Sequence, residues 1–293
     1  MKEGLLIGGG LIVAGLLLEL SVEPVVWDAF RWPVNCVVLA GLLVMIAAMW
    51  LLHGRVYAFR FLMTYQAAIP AMGYAVVLTI IMGLTRQTQD GRWLNNMLTF
   101  WPFVLEYVYM AVILGLVVLK RTAMLRQNCN TRWEDTVRQV AFLLNHLGLF
   151  IAMVTATLGN ADMQRLKMVC LEGQPEWRAL TQQEVMELPL AIELRKFIME
   201  TYDDGSPKRY ASEVNILTKS GKNIETTIDV NKPAEVEGWK IYQYGYDTQA
   251  GPRSQMSILE LVSDPWLPVV YTGIFMMLGG AACMFVFGRR RKV

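Results

Sequence analysis

Histidine is almost missing from this sequence: His53 and His146 are the two in 293 residues. Residues 161–266 hold neither, so a histidine-based metal or acid–base centre cannot be built there. Cysteine is sparse as well. Cys36, Cys129, Cys170 and Cys283 form no CxxC pair, which leaves thiol–disulfide chemistry or a cofactor tethered through such a pair without support. There is no P-loop and no GxSxG elbow. The glycines of LLIGGGLIVAG follow no strand, so they read as helix packing and not as a phosphate cradle. Charge is the last shortage: 18% of residues are charged against 54% hydrophobic, and several long windows carry almost no charge. A soluble protein throughout its length is thereby excluded.

What is present is six apolar windows, at residues 5–20, 36–52, 65–84, 98–119, 140–157 and 267–287. Each approaches the roughly 20 residues needed to cross a hydrocarbon core of about 30 Å, so the sequence predicts six transmembrane helices. The first window reads as a span and not a cleaved leader, because no small-residue cleavage site follows and Glu19 sits where one would be needed. With six crossings, Lys2, Arg55, Arg60, Lys120, Arg121, Arg126, Arg132, Arg138 and the basic tail 289–292 fall on one side. The positive-inside rule makes that side cytoplasmic. The opposite short loops balance Glu23, Asp28 and Asp90 against Arg31, Arg86 and Arg92. Both termini are then expected in the cytoplasm and residues 161–266 outside it.

Residues 161–266 carry 17 Asp and Glu against 12 Lys and Arg, a mild acidic excess that argues against a nucleic-acid partner. Their pattern is β. Leu188, Leu190, Ile192 and Leu194 alternate with Pro189, Ala191, Glu193 and Arg195. YASEVNILTK, the turn SGK and NIETTIDVN read as a hairpin, and WKIYQYGY and SQMSILELV as two more strands. Pro233, Gly238, Gly251 and Pro252 punctuate them. The expected architecture is a membrane α-helical bundle with an extracytoplasmic, mainly-β domain, an antiparallel sandwich or barrel, inserted between helices five and six. By residues, 1–60 holds two N-terminal helices, 61–160 helices three to five, 161–266 the β domain, and 267–293 helix six with its basic tail.

From NHLGLFIAMVTATLG through LPLAIELRKFIMETYDDGSPKRYASEVNI, and on through IDVNKPAEVEGWKIYQYGYD to SDPWLPVVYTGIFMMLGG, the chain resembles the ResB-like (CcsB-like) family of cytochrome c biogenesis proteins. In that family a histidine-bearing span leads into an outer β domain, and a D-P-W lead-in opens the last span. The likeness covers about residues 140–287; the outer domain here is shorter than in many relatives, and two spans stand at the amino end. The resemblance implies a bacterial inner-membrane subunit of the System II cytochrome c synthetase, without catalytic residues of its own. It would work with a CcsA-like partner carrying the tryptophan-rich WWD segment, moving haem b outward for attachment to apocytochrome c. This chain has no such segment; WLNNMLTFWPF shares only its tryptophans.

His146 lies about six residues into its span, roughly 9 Å from the cytoplasmic edge. Ionisable residues at such depth are functional candidates. By residues alone it is either a metal ligand or a hydrogen-bonded tie between spans; the resemblance implies an axial ligand to haem iron, shared with the partner. Asn145 and Asn160 are candidate supports, although Asn145 lies about 100° round the helix. His53, at the end of span two, reads as an interfacial helix-end residue, yet it is the only available second imidazole. Glu106 lies roughly 12 Å from the outer end of span four, where it is either kept protonated or bonded to a tyrosine such as Tyr107 or Tyr109 or to a partner helix, a weaker candidate for proton or propionate handling. Trp27, Trp32, Trp93, Trp101 and Trp266 mark the outer interface. Two other functions compete: a b-type electron-transfer cytochrome, disfavoured by having two histidines in all, and an outer binding module held by inert spans.

Overall fold

The computed structural model describes residues 1–88, 91–127, 133–181 and 184–287, with Glu134 as backbone only. Asp90, Cys129, Arg132 and the tail 289–292 lie outside the described residues. The chain divides into two compact units, Met1–Asp162 with Trp266–Val293, and Met163–Pro265.

The first unit is helical. Its elements are α1 (Lys2–Ser21), α2 (Val34–Leu52), the short α3 (Tyr57–Leu62), α4 (Tyr65–Leu84), α5 (Trp101–Gln127), α6 (Trp133–Gly159) and α7 (Leu267–Phe287). All but α3 are long and apolar enough to cross a membrane, and each coincides with one of the six apolar windows. Large apolar side chains such as Leu6, Leu17, Leu84 and Phe285 stand exposed on them, as they do on a surface solvated by hydrocarbon. The buried interior is a cluster that includes Ile46, Ala67, Ala71, Val112, Leu116, Phe150 and Val154.

Small residues let the backbones approach. Along α1, Gly4, Gly8 and Gly15 are buried, and a Cβ on Gly15 would lie 2.5 Å from the backbone of Pro102. Where α6 crosses α7, a Cβ on Gly148 would lie 2.5 Å from the Gly273 carbonyl, and one on Gly273 2.6 Å from the Gly148 carbonyl. Helix association in hydrocarbon depends on such close contact, since no hydrophobic force distinguishes a neighbouring helix from lipid.

The two ends of the unit are tied differently. At one end Tyr57 Oη donates to Glu3 Oε2 (2.9 Å), Lys120 Nζ to the Met63 carbonyl (3.2 Å) and Arg138 Nε to the Phe287 carbonyl (3.1 Å). At the other, Trp27 Nε1 donates to the Leu98 carbonyl (3.2 Å), and Trp101 donates through Nε1 to the Glu23 carbonyl (3.1 Å) and through its backbone N–H to Glu19 Oε2 (3.2 Å). Successive long helices therefore alternate in direction.

The second unit is one continuous antiparallel sheet of eight strands: β1 (Gln164–Leu171), β2 (Pro175–Leu180), β3 (Val185–Thr201), β4 (Pro207–Thr218), β5 (Asn223–Asp229), β6 (Ala234–Val236), β7 (Trp239–Tyr246) and β8 (Met256–Ser263), ordered β5-β4-β3-β2-β1-β8-β7-β6. The expected hairpin is β4–β5, with Ala211 opposite Asp229 and Leu217 opposite Asn223. The alternation read in residues 188–195 is the core face of β3: Leu188, Leu190, Ile192 and Leu194 are all buried. They join Leu166, Met168, Ile216, Ile228, Ile241, Leu259 and Leu261 in one apolar cluster.

A sandwich of two sheets was one expectation; the unit is instead a single sheet that curls on itself. Ser212 on β4 lies 2.7 Å from both Gln243 Oε1 on β7 and Ser257 Oγ on β8, strands well separated in the hydrogen-bonded order. Gln243 Nε2 also donates to the Gly245 carbonyl and to Ser257 Oγ, each at 2.9 Å, so this buried polar group is internally satisfied. The register shift between Leu194 and Lys196 on the 17-residue β3 supplies a bulge of the kind that bends a strand.

Candidate functional site

His146 sits at the middle of α6, because the helix begins two turns before its apolar run, in a segment carrying the Asp135–Arg138 ion pair (3.3 Å). Its ring stacks on that of Phe142, with centroids 3.8 Å apart and planes at 20°. The Arg121 guanidinium lies 4.3 Å from the centre of the same Phe142 ring. His146 Nδ1 is 2.8 Å from the Phe142 carbonyl, one turn back on its own helix.

That bond fixes the proton. A carbonyl only accepts, so Nδ1 carries the hydrogen and a neutral ring presents Nε2 as a bare lone pair. Nε2 has no partner among the described residues. One ring nitrogen anchored to a carbonyl and the other free is the donor arrangement of a metal-binding imidazole. A tie between spans, the other expectation for His146, is not what the geometry gives: the bond is within one helix.

The proposed supports are elsewhere. Asn145 turns to α7, where its Nδ2 lies 3.4 Å from Met284 Sδ and its Oδ1 2.8 Å from the place a Cβ on Gly280 would occupy. Asn160 begins the 3₁₀ turn after α6, roughly 20 Å along the axis from His146. His53 repeats the local device of His146: its Nδ1 meets the Trp50 carbonyl and its ring stacks on the Trp50 indole at 4.6 Å and 18°. It lines a cleft at the basic end of the unit that does not include His146.

Glu106 is almost fully buried, at 1% exposure, and among the described residues neither carboxyl oxygen has a hydrogen-bond partner. The tyrosine bond, one of the alternatives for Glu106, is not made among the described residues. Tyr107 Oη donates instead to the Met153 carbonyl (2.5 Å) and accepts from Thr157 Oγ1 (2.6 Å), joining α5 to α6, while Tyr109 Oη has no partner among the described residues. Cys170 is buried in the β core, and burial pushes its thiol up to about 12, far from the thiolate a nucleophile needs.

The residue that sequence reasoning missed is Asp162. Its Oδ1 accepts from the Trp32 backbone N–H (2.7 Å); its Oδ2 accepts from Asn35 Nδ2 (2.7 Å) and Trp266 Nε1 (2.6 Å). Asn35 is fully buried and its Nδ2 also reaches the Leu158 carbonyl (3.4 Å). A Cβ on Gly159 would lie 2.5 Å from Trp266 Cγ, so glycine there lets the indole lie against the end of α6. One carboxylate thus joins the starts of α2 and α7 to the end of α6. The D-P-W signature contained Trp266, but nothing local named its acceptor.

Residues 135–256 match the ResB-like family model. The resemblance read from NHLGLFIAMVTATLG onward therefore holds over a stretch running from the first turn of α6, through His146, into β8. The chain is 30% identical over 149 residues to the cytochrome c biogenesis protein CcsB of Prochlorococcus marinus strain NATL1A, and 32% identical over 149 residues to that of strain NATL2A. Each alignment takes in 47% of this chain and 34% of the relative, so the chain matches about a third of the length of those proteins. A solved structure, the cytochrome c haem lyase CcmF, overlaps 75% of this chain and 38% of its own at 11% identity and a TM-score of 0.37, too low to carry an argument. The ResB-like stretch contains His146, Asn145, Asp162 and Cys170, and excludes His53 and Glu106.

Proposed function

We propose that this chain is a membrane subunit of a cytochrome c maturation complex of the System II kind, helping to carry haem b across the bilayer and deliver it for attachment to apocytochrome c. The observation that carries this reading is His146: it falls inside the ResB-like stretch, and its free Nε2 is the donor that haem iron accepts. Haem is cargo here, and supplies the iron and the vinyl groups that end in thioether links to the client. The chain supplies one axial ligand. Its ring is held by the Phe142 carbonyl and the Phe142 face, so that little conformational freedom is lost on binding. The opposite ligand comes from a CcsA-like WWD partner that shares the haem. Residues 161–266 lie in the periplasm as a docking surface, and both termini face the cytoplasm of a bacterial inner membrane.

His146→Ala tests the assignment. Haem recovered with the partnered complex should fall about tenfold or more, the range found when metal-site ligand shells are disturbed. Cytochrome c maturation should fall with it, and added imidazole should restore both in part by filling the vacated position. His53→Ala should leave both near wild type. Full haem recovery with an unchanged absorption spectrum in His146→Ala would end the assignment.

A further inference from the structure

A cleft of about 430 Å³ opens between the ends of α2, α3 and α5, well within the size range of small-molecule sites. Trp50 and His53 line it from the end of α2, and Arg60 and Met63 from α3 and the residue that follows it. Lys120, Ala123, Met124 and Gln127, spaced as neighbours on one helix face, line it from the last turns of α5. The lining combines two fixed cations with an indole and two thioethers. Among the described residues no Asp or Glu lines it, and neither Arg60 nor Lys120 has a carboxylate partner. Lys120 spends one donor on the Met63 carbonyl, 3.2 Å away, and keeps two.

We propose that this cleft binds an acidic amphiphile, with its carboxylate or phosphate between Arg60 and Lys120 and its apolar body against Trp50, Met63 and Met124. Basic pockets between helices at a membrane interface select this chemistry, because charge-assisted bonds hold the head while apolar walls hold the body. Two sources share it: haem, through its propionates, and an anionic phospholipid. The haem source rests on the function proposed above; the lipid source does not.

The test uses the full chain purified in detergent, with His146→Ala as background in the haem arm, so that the His146 position contributes nothing. Ferric haem b and its propionate dimethyl ester are titrated by absorbance. Dioleoylphosphatidylglycerol and dioleoylphosphatidylcholine are compared by native mass spectrometry. The cleft should prefer haem to its ester, or the anionic lipid to the neutral one, by about tenfold, and Arg60→Ala with Lys120→Ala should abolish that preference. Ala123→Phe fills the cleft without removing charge and should weaken the same probe, which separates a lost site from a misfolded variant. Loss confined to haem assigns the cleft to cargo, and loss confined to phosphatidylglycerol assigns it to lipid. The proposal is overturned if neither preference exists in the starting chain, or if both sets of variants bind both probes unchanged.

Discussion

Removing the Asp162 carboxylate should loosen the helical unit far more than its position in a short connecting turn suggests. Asp162→Ala takes away an acceptor for three donors at 2.6–2.7 Å and leaves the Asn35 amide and the Trp266 indole N–H to find others. A hydrogen bond to a charged group is worth about 1.5–3 kcal/mol net. Asp162 is only partly buried, and the three bonds share one carboxylate, so solvent screening and non-additivity reduce the sum to roughly 3 kcal/mol. At roughly 2–3 °C per kcal/mol for a protein of this size, the purified chain should unfold about 6–9 °C earlier. Asp162→Asn should fall part-way, because an amide keeps one acceptor oxygen and turns two hydrogens towards existing donors. The decisive measurement is a double-mutant cycle with Trp266→Phe, which keeps the ring against Gly159 and deletes only the N–H. Coupling of about 1 kcal/mol or more is expected; additivity within about 0.3 kcal/mol, or an unshifted melt for Asp162→Ala, would refute the clasp.

Reporter fusions at Gly205 and after Val293 should give opposite localisation signals, and equal signals would overturn the proposed topology. Cys170→Ala should cost the β unit about 1–2 kcal/mol through a small cavity, yet leave cytochrome c maturation near wild type once protein level is matched; loss of maturation at normal level would reinstate a thiol role. Glu176 is held down to about 2 by the Arg178 guanidinium, which bonds it at 2.9 and 3.1 Å. A depressed carboxylate contributes stability above its unfolded value of about 4.5, lost as pH falls towards 2. Because Arg178 is exposed and screened by solvent, Glu176→Gln should remove at most about 1 kcal/mol of that acid sensitivity, read from urea melts at pH 7 and pH 3; an unchanged difference between the two would contradict it.

Much of the frame was legible because membranes and sheets impose short-range patterns. Twenty apolar residues in a row announce a span, and the alternation through Leu188, Leu190, Ile192 and Leu194 announces a strand buried on one face. What stayed hidden depends on distance along the chain. Asp162 finds its partners 130, 127 and 104 residues away, and one of them is a backbone N–H with no side-chain signature at all. The lone pair of His146 was hidden differently, since a histidine in a span fixes neither its tautomer nor its acceptor; only the Phe142 carbonyl does that. Arg60 and Lys120 were visible as orientation charges, and that role masked their convergence on one cleft. Curling, too, left no local mark: Ser212, Gln243 and Ser257 are ordinary strand residues until the sheet brings them together.

The β unit begins and ends on paired strands, Gln164 facing Ser263 at the very start of β1 and the end of β8. Facing residues of antiparallel strands sit about 5 Å apart, so the hundred residues from 164 to 263 begin and end at one place. The length of a segment closed this way can change without changing the separation of its two ends. A short linker in place of residues 164–263 would then leave the crossing of Gly148 with Gly273 as the closing of an ordinary helical hairpin.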